Sequence, residues 1–149
     1  MEATHKIDIV RYAIVKEHTL EYNTPIANHY AAAELFRKFI GDRDREVFAV
    51  IGLDIKNKPT FLNIVSIGQL NQTAVEMREL FKPAILSNSS AIIVAHNHPS
   101  GTTDASPEDV RITEKIKNAG KMLGIKLLDH IIVTTDDAVS IKDTNAKLS

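Results

Sequence analysis

At 149 residues the chain amounts to one domain, long enough to bury about 68–70% of the surface its unfolded form exposes. Hydrophobic residues make up 44% and charged residues 25%, and a formal net charge of -1 gives no global field favouring nucleic acid, although a local basic patch stays open. There is no cysteine, so disulfides, thiolate zinc sites and thiol catalysis are excluded, and any metal must be held by histidine and carboxylate.

The apolar run Ala91–Ala95 is far too short to span a bilayer. Lys6, Asp8 and Arg11 interrupt any secretory signal pattern at the N-terminus. The expectation is a cytoplasmic protein made of a single domain over 1–149.

In chain order, Val10, Tyr12 and Ile14 alternate with polar neighbours and predict a first strand over 7–16. Thr24-Pro25 reads as an N-cap with proline in the first turn, ahead of a helix carrying Ala32, Leu35, Phe36, Phe39 and Ile40 and stopped by Gly41. Residues 46–53 are apolar after Glu46, the pattern of a strand covered on both faces. Asn57-Lys58-Pro59 is a turn and 60–67 the partner strand. Thr73 and Glu76 read as a capping box opening a helix through about Asn88, which Pro83 should kink or shorten. Ala91–Ala95 is a short buried strand running straight into His96. Ser106 with Pro107 opens a third helix that Gly120 interrupts and Gly124 ends; Ile125–Thr134 and 138–142 are further strands. Strands separated by helices predict a layered α/β fold.

The stretch His96-Asn97-His98-Pro99-Ser100-Gly101, followed by Ser106-Pro107-Glu108-Asp109, carries most of the functional information. Residues i and i+2 of an extended chain share a side, so His96 and His98 can reach one ion while Asn97 points away. Pro99 and Gly101 then turn the chain, with Asn97 and Ser100 shaping the loop. Asp109 falls in the first turn of the next helix, where the dipole favours the ionised carboxylate a metal needs. Ser106 and Asp109 also read simply as a helix cap and a first-turn acid, and one residue can do both. Zinc takes nitrogen and oxygen donors, three from protein plus water being its usual catalytic arrangement.

A zinc hydrolase also needs a general base, and Glu46, a charge at the head of an apolar strand, is the candidate; the alternative is a surface glutamate at a strand end. His130, inserted in the apolar run 127–133, is either a structural hydrogen-bonding group or support for the site. Other metal patterns fail on spacing. Nucleic-acid deaminases need cysteines, HNH nucleases spread their three residues over a ββα unit, and His-Glu-x-x-His is absent.

Glu46, His96-x-His98, Ser106 and Asp109 together resemble the JAMM motif of JAB/MPN-domain metalloproteins, and the chain is most similar to RadC-like members. Leu123-Gly-Ile-Lys-Leu-Leu-Asp-His-Ile-Ile-Val133 carries the resemblance further, with weaker support from Gly68-Gln-Leu-Asn, Arg78-Glu-Leu-Phe-Lys and the Asp44-Arg-Glu-Val-Phe lead-in. It spans roughly residues 5 to 142. Longer RadC proteins add an N-terminal helix-hairpin-helix region, for which this chain has no room, and Ala105 stands where proline is frequent.

The resemblance implies a mixed β-sheet flanked by helices, a JAB/MPN (cytidine-deaminase-like) layered α/β fold. It implies one Zn2+ held by His96, His98 and Asp109, with Glu46 as general base and Ser106 stabilising an oxyanion. The reaction would be hydrolysis of a peptide or isopeptide bond in a protein or peptide substrate. The alternative is a DNA-repair or mobile-element accessory protein using the same fold for binding, against which the missing basic run argues mildly.

Overall fold

The computed structural model describes residues 4–22, 26, 28–40, 42–68 and 75–141. Helix α1 (His29–Ile40) is followed by the hairpin β1 (Val47–Leu53) and β2 (Pro59–Ile67), helix α2 (Met77–Leu86) and β3 (Ala91–Asn97). Helix α3 (Pro107–Leu123), β4 (Lys126–Val133) and β5 (Ala138–Ser140) complete the order. The five strands form one sheet in the order β2-β1-β3-β4-β5. The β3–β4 pair, joined through α3, is parallel, and the other pairs are antiparallel. This is the expected mixed sheet flanked by helices.

The side-chain period of two along the strands sorts the core into two halves. Ala49 and Ile51 of β1, Ile93 and Ala95 of β3, and Ile131 and Val133 of β4 pack with Leu35, Phe36 and Ile40 of α1. Phe48 and Val50 of β1 and Ile92 and Val94 of β3 pack instead with Leu80 and Phe81 of α2 and Ile112 and Ile116 of α3. The three α1 side chains alone contribute about 1.5–3 kcal/mol each by leaving water. β3 lies in the middle of the sheet and is buried at every residue, so whatever leaves its C-terminal end starts from a fixed place.

The expected strand over 7–16 does not form. Residues 4–22 have no helix or strand, and Ile7, Ile9, Val10, Tyr12 and Val15 are exposed; contact with the core comes at Leu20 and Tyr22. Alternation specifies the two faces a strand would offer, not that a sheet edge receives it.

Helix starts also differ. Thr24, Pro25, Gly41 and Thr73 lie outside the described residues, and the cap on α1 is Asn28, whose Oδ1 accepts from the Ala31 N–H at 3.1 Å. Glu76 is the residue preceding α2 and makes no side-chain cap bond, so the helix opens three residues later than its capping-box pattern suggests. Pro83 does not prevent α2, which continues to Leu86.

Gly120 does not interrupt α3. A Cβ at that position would lie 2.2 Å from the Ile125 carbonyl oxygen, so glycine there lets the helix and the start of β4 touch backbone to backbone. Gly124, at φ +72, ends the helix. Among the described residues no helix is long and apolar enough to cross a membrane. Gly120→Ala should lower stability by about 1–3 kcal/mol through overpacking, despite the better helix propensity of alanine. A denaturant midpoint equal to or above that of the parent would contradict this reading.

Candidate metal centre

β3 carries His96 as its penultimate residue and delivers His98 just past its end. The His98 N–H donates to Val133 O at 3.0 Å, holding the loop to β4. Gly101, at φ +85, closes a tight turn in which its N–H donates to His98 O, as expected for the Pro99–Gly101 bend. That turn brings the Thr102 carbonyl 2.8 Å from His98 Nδ1. A carbonyl only accepts, so Nδ1 carries the hydrogen. His98 Nε2 then faces His96 Nε2 at 2.9 Å.

The third donor comes from α3. Ser106 is its N-cap: Ser106 Oγ accepts from the Asp109 N–H at 3.1 Å, and Asp109 Oδ2 accepts from the Ser106 N–H at 2.9 Å. This reciprocal capping box, with Pro107 at the first turn, presses a buried carboxylate against the imidazoles. Asp109 Oδ1 is 3.3 Å from His96 Nε2, and Oδ2 is 3.6 Å from His98 Nε2. Ser106 is thus the cap of α3, and Asp109 is both a partner in that cap and one of the grouped donors.

Burial pushes the Asp109 carboxyl upward, but the adjacent His96 and His98 imidazoles outweigh it and hold the group well below the usual carboxylate range. The hydrogen bond to Asp109 is the main cause raising His98 above 6.5, partly offset by burial and aided by Thr102 and by the charges of Asp109 and Glu46. The donor atoms of His96, His98 and Asp109 lie within 4.8 Å of one another, a group able to hold a metal ion. Ligands at 2.0–2.1 Å from a tetrahedral ion stand about 3.3 Å apart, and the observed separations fall on both sides of that spacing.

Glu46 is half-buried and immediately precedes β1; its carbonyl accepts from the Gly68 N–H at 2.8 Å, and its charge reaches His98. What holds it there is Asn97. Lying between the two imidazoles in sequence and on the opposite side of the strand, Asn97 does more than shape the loop. Its Oδ1 accepts from the Val47 N–H at 2.6 Å, while its Nδ2 donates to Arg45 O at 2.9 Å and Arg43 O at 3.3 Å. The backbone on both sides of Glu46 is therefore pinned to the strand that carries the histidines. A fully buried amide at a strand end was the available signal, obscured because burial is not printed in a sequence.

His130 belongs to the site rather than to the apolar core alone. It is buried on the α3 side of β4, with Nε2 at 2.8 Å from His96 Nδ1 and Nδ1 at 2.6 Å from Thr113 Oγ1. Burial, reinforced by the neighbouring His96, holds its pKa well below 6.5. The Phe48 ring packs edge-on to His130 and stacks on His96, walling the inner side. Thr113, one helical turn past Asp109, has no motif around it and was invisible to sequence reading.

Residues 26–146 match the family model described as the RadC-like JAB domain. A UPF0758 protein of Methanosarcina acetivorans is 46% identical over 102 residues, covering 68% of this chain and 44% of that protein. A UPF0758 protein of Chloroflexus aggregans is 38% identical over 125 residues, covering 84% of this chain and 55% of that protein. The chain spans about half the length of the curated relatives it matches. The family match begins at residue 26, so the exposed segment 4–22 lies outside it, short of the start near residue 5 that the resemblance suggested.

Asn97→Ala leaves the buried Val47 N–H without its acceptor and should cost about 1–3 kcal/mol in a denaturant titration; an unchanged midpoint would mean that the amide does not tie β3 to β1. Metal uptake should depend on pH. Ligation needs the neutral imidazole, and the proton on His98 is held more tightly than usual, so affinity for a divalent metal ion should weaken between about pH 8 and pH 5.5. The loss should approach about tenfold per pH unit below the His98 pKa, with Asp109 ionised throughout. Affinity that is flat across this range in a chelator-competition titration would remove His98 from the ligand set.

Proposed function

The chain belongs to the RadC-like JAB domain family, and on that footing we propose that it is a zinc-dependent hydrolase cleaving a peptide or isopeptide amide bond. The observation that carries the proposal is the convergence of His96 Nε2, His98 Nε2 and the Asp109 carboxylate at the mouth of a parallel crossover. Two imidazoles and one carboxylate, without sulfur, are a donor set found in catalytic zinc sites. Bound there, zinc would supply Lewis-acid polarisation and a water acidic enough to react near neutral pH.

The protein's own groups have the remaining work. Glu46, clamped by Asn97 at the head of β1, takes the proton from the attacking water and returns it to the leaving nitrogen as the carbon–nitrogen bond breaks. Ser106 Oγ accepts from the Asp109 N–H, a bond that does not use its own hydroxyl hydrogen, which donates to the developing oxyanion. The positive end of α3 lies beside the same charge and supports it. The substrate is assigned only by its bond, an amide in a peptide or protein.

The test starts with zinc content by elemental analysis of untagged protein, beside Asp109→Ala, followed by mass-spectrometric readout of a mixed peptide library. One zinc per chain is expected in the parent and little in the variant. Glu46→Gln should keep the metal and lose about 10²–10⁴-fold in cleavage rate. Cleavage that persists in verified zinc-free protein, or a parent that takes up no zinc when supplied with it, would overturn the assignment.

A further inference from the structure

Once His96, His98, Asp109, Ser106 and Glu46 have their roles, two polar side chains remain buried beside them without one: His130 and Thr113. We infer that Thr113 and His130 are positioning residues that fix the tautomer of His96, so that its Nε2 offers a lone pair to the metal. The inference rests on the metal-site reading above and adds to it how the first ligand is prepared.

The direction of the hydrogens follows from one fixed acceptor. Thr113 Oγ1 lies 2.6 Å from the Asp109 carbonyl oxygen, which can only accept, so the single hydroxyl hydrogen of Thr113 goes there. Thr113 Oγ1 then has only lone pairs left for His130 Nδ1 at 2.6 Å, so Nδ1 carries the hydrogen. His130 is 1% exposed and, as a neutral ring with one hydrogen, presents a bare Nε2 to His96 Nδ1 at 2.8 Å. His96 Nδ1 must therefore be the donor, and His96 Nε2 is left bare.

Run the other way, the chain fails at its first link: two oxygens would face each other at 2.6 Å with no hydrogen between them. The chain also returns to its starting point, because the carbonyl that sets it belongs to Asp109, whose carboxylate lies 3.3 Å from His96 Nε2. The main chain of one ligand thus decides the protonation of another. His98 reaches the same state independently, through the Thr102 carbonyl. Hydrogen bonding at the distal nitrogen of a ligating histidine both orients the ring and raises its basicity, and losing it typically costs 10–100-fold in metal affinity.

The test has two arms. Long-range ¹H–¹⁵N correlation spectra of imidazole-labelled protein, stripped of metal by a chelator, should show His96 and His130 both protonated at Nδ1. A hydrogen on Nε2 of either ring would overturn the inference whatever the protein does with zinc. Zinc affinity by chelator competition is the second arm. Thr113→Val, which keeps the shape and removes the hydroxyl, should bind about tenfold or more weakly and show His96 as a mixture of tautomers. Thr113→Ser should restore both affinity and spectrum, and His130→Phe should lose affinity as Thr113→Val does.

Thr113→Val that binds zinc as tightly as the parent would sink the positioning role while leaving the metal site intact. A parent that binds no zinc would instead end the metalloenzyme reading, and the spectra alone would then decide the tautomers.

Discussion

Two imidazole nitrogens and a carboxylate withdrawn from water into a space of 4.8 Å need a cation among them. The hydrogen bond to Asp109 raises the affinity of His98 for a proton, which expresses that need. With a metal the same geometry becomes a ligand set. Much of the surrounding structure follows from keeping these groups together at the end of β3. The strand is central and buried on both faces, the loop after it is hydrogen-bonded to β4, and the next helix starts with the third donor as part of its own cap.

β3 is tied to each neighbouring strand at this end by a side chain as well as by its backbone ladder. Asn97 reaches to the entry of β1, and His96 reaches His130 on β4. The two ties leave the strand on opposite sides because consecutive residues do. One secures the backbone around Glu46 and the other orients the His96 ring, so the alternation His-Asn-His divides the work between the two faces of the sheet. Replacing Asn97 with an apolar residue would remove the hydrogen bonds that hold the backbone on both sides of Glu46.

The site was largely legible in the sequence because its parts are set by local rules. An i, i+2 pair at the end of an apolar strand and a Ser-x-x-Asp spacing at a helix start define where His96, His98, Ser106 and Asp109 go, whatever the rest of the chain does. The sheet was legible for the same reason, since 46–53 and 91–95 are short apolar runs of the kind that buried strands carry. The misses are non-local. Residues 7–16 alternate like a strand but find no partner edge among the described residues, and Gly120 is explained only by the approach of Ile125. The contact of Thr113 with His130 and those of Asn97 with the entry of β1 span 17 to 54 positions, a proximity that no spacing rule encodes.

The structure makes Ser106 and Asp109 a helix cap, and the same cap places the Asp109 carboxylate beside the two imidazoles. A capping box fixes the third residue of a helix relative to the residue before the helix, which is a tighter constraint than packing alone would impose on a loop-borne carboxylate. The same box places Asp109 at the positive end of α3, which offsets part of the cost of keeping the carboxylate ionised while buried. The loop between His98 and Ser106 then needs only to span a gap between two ends that are already positioned.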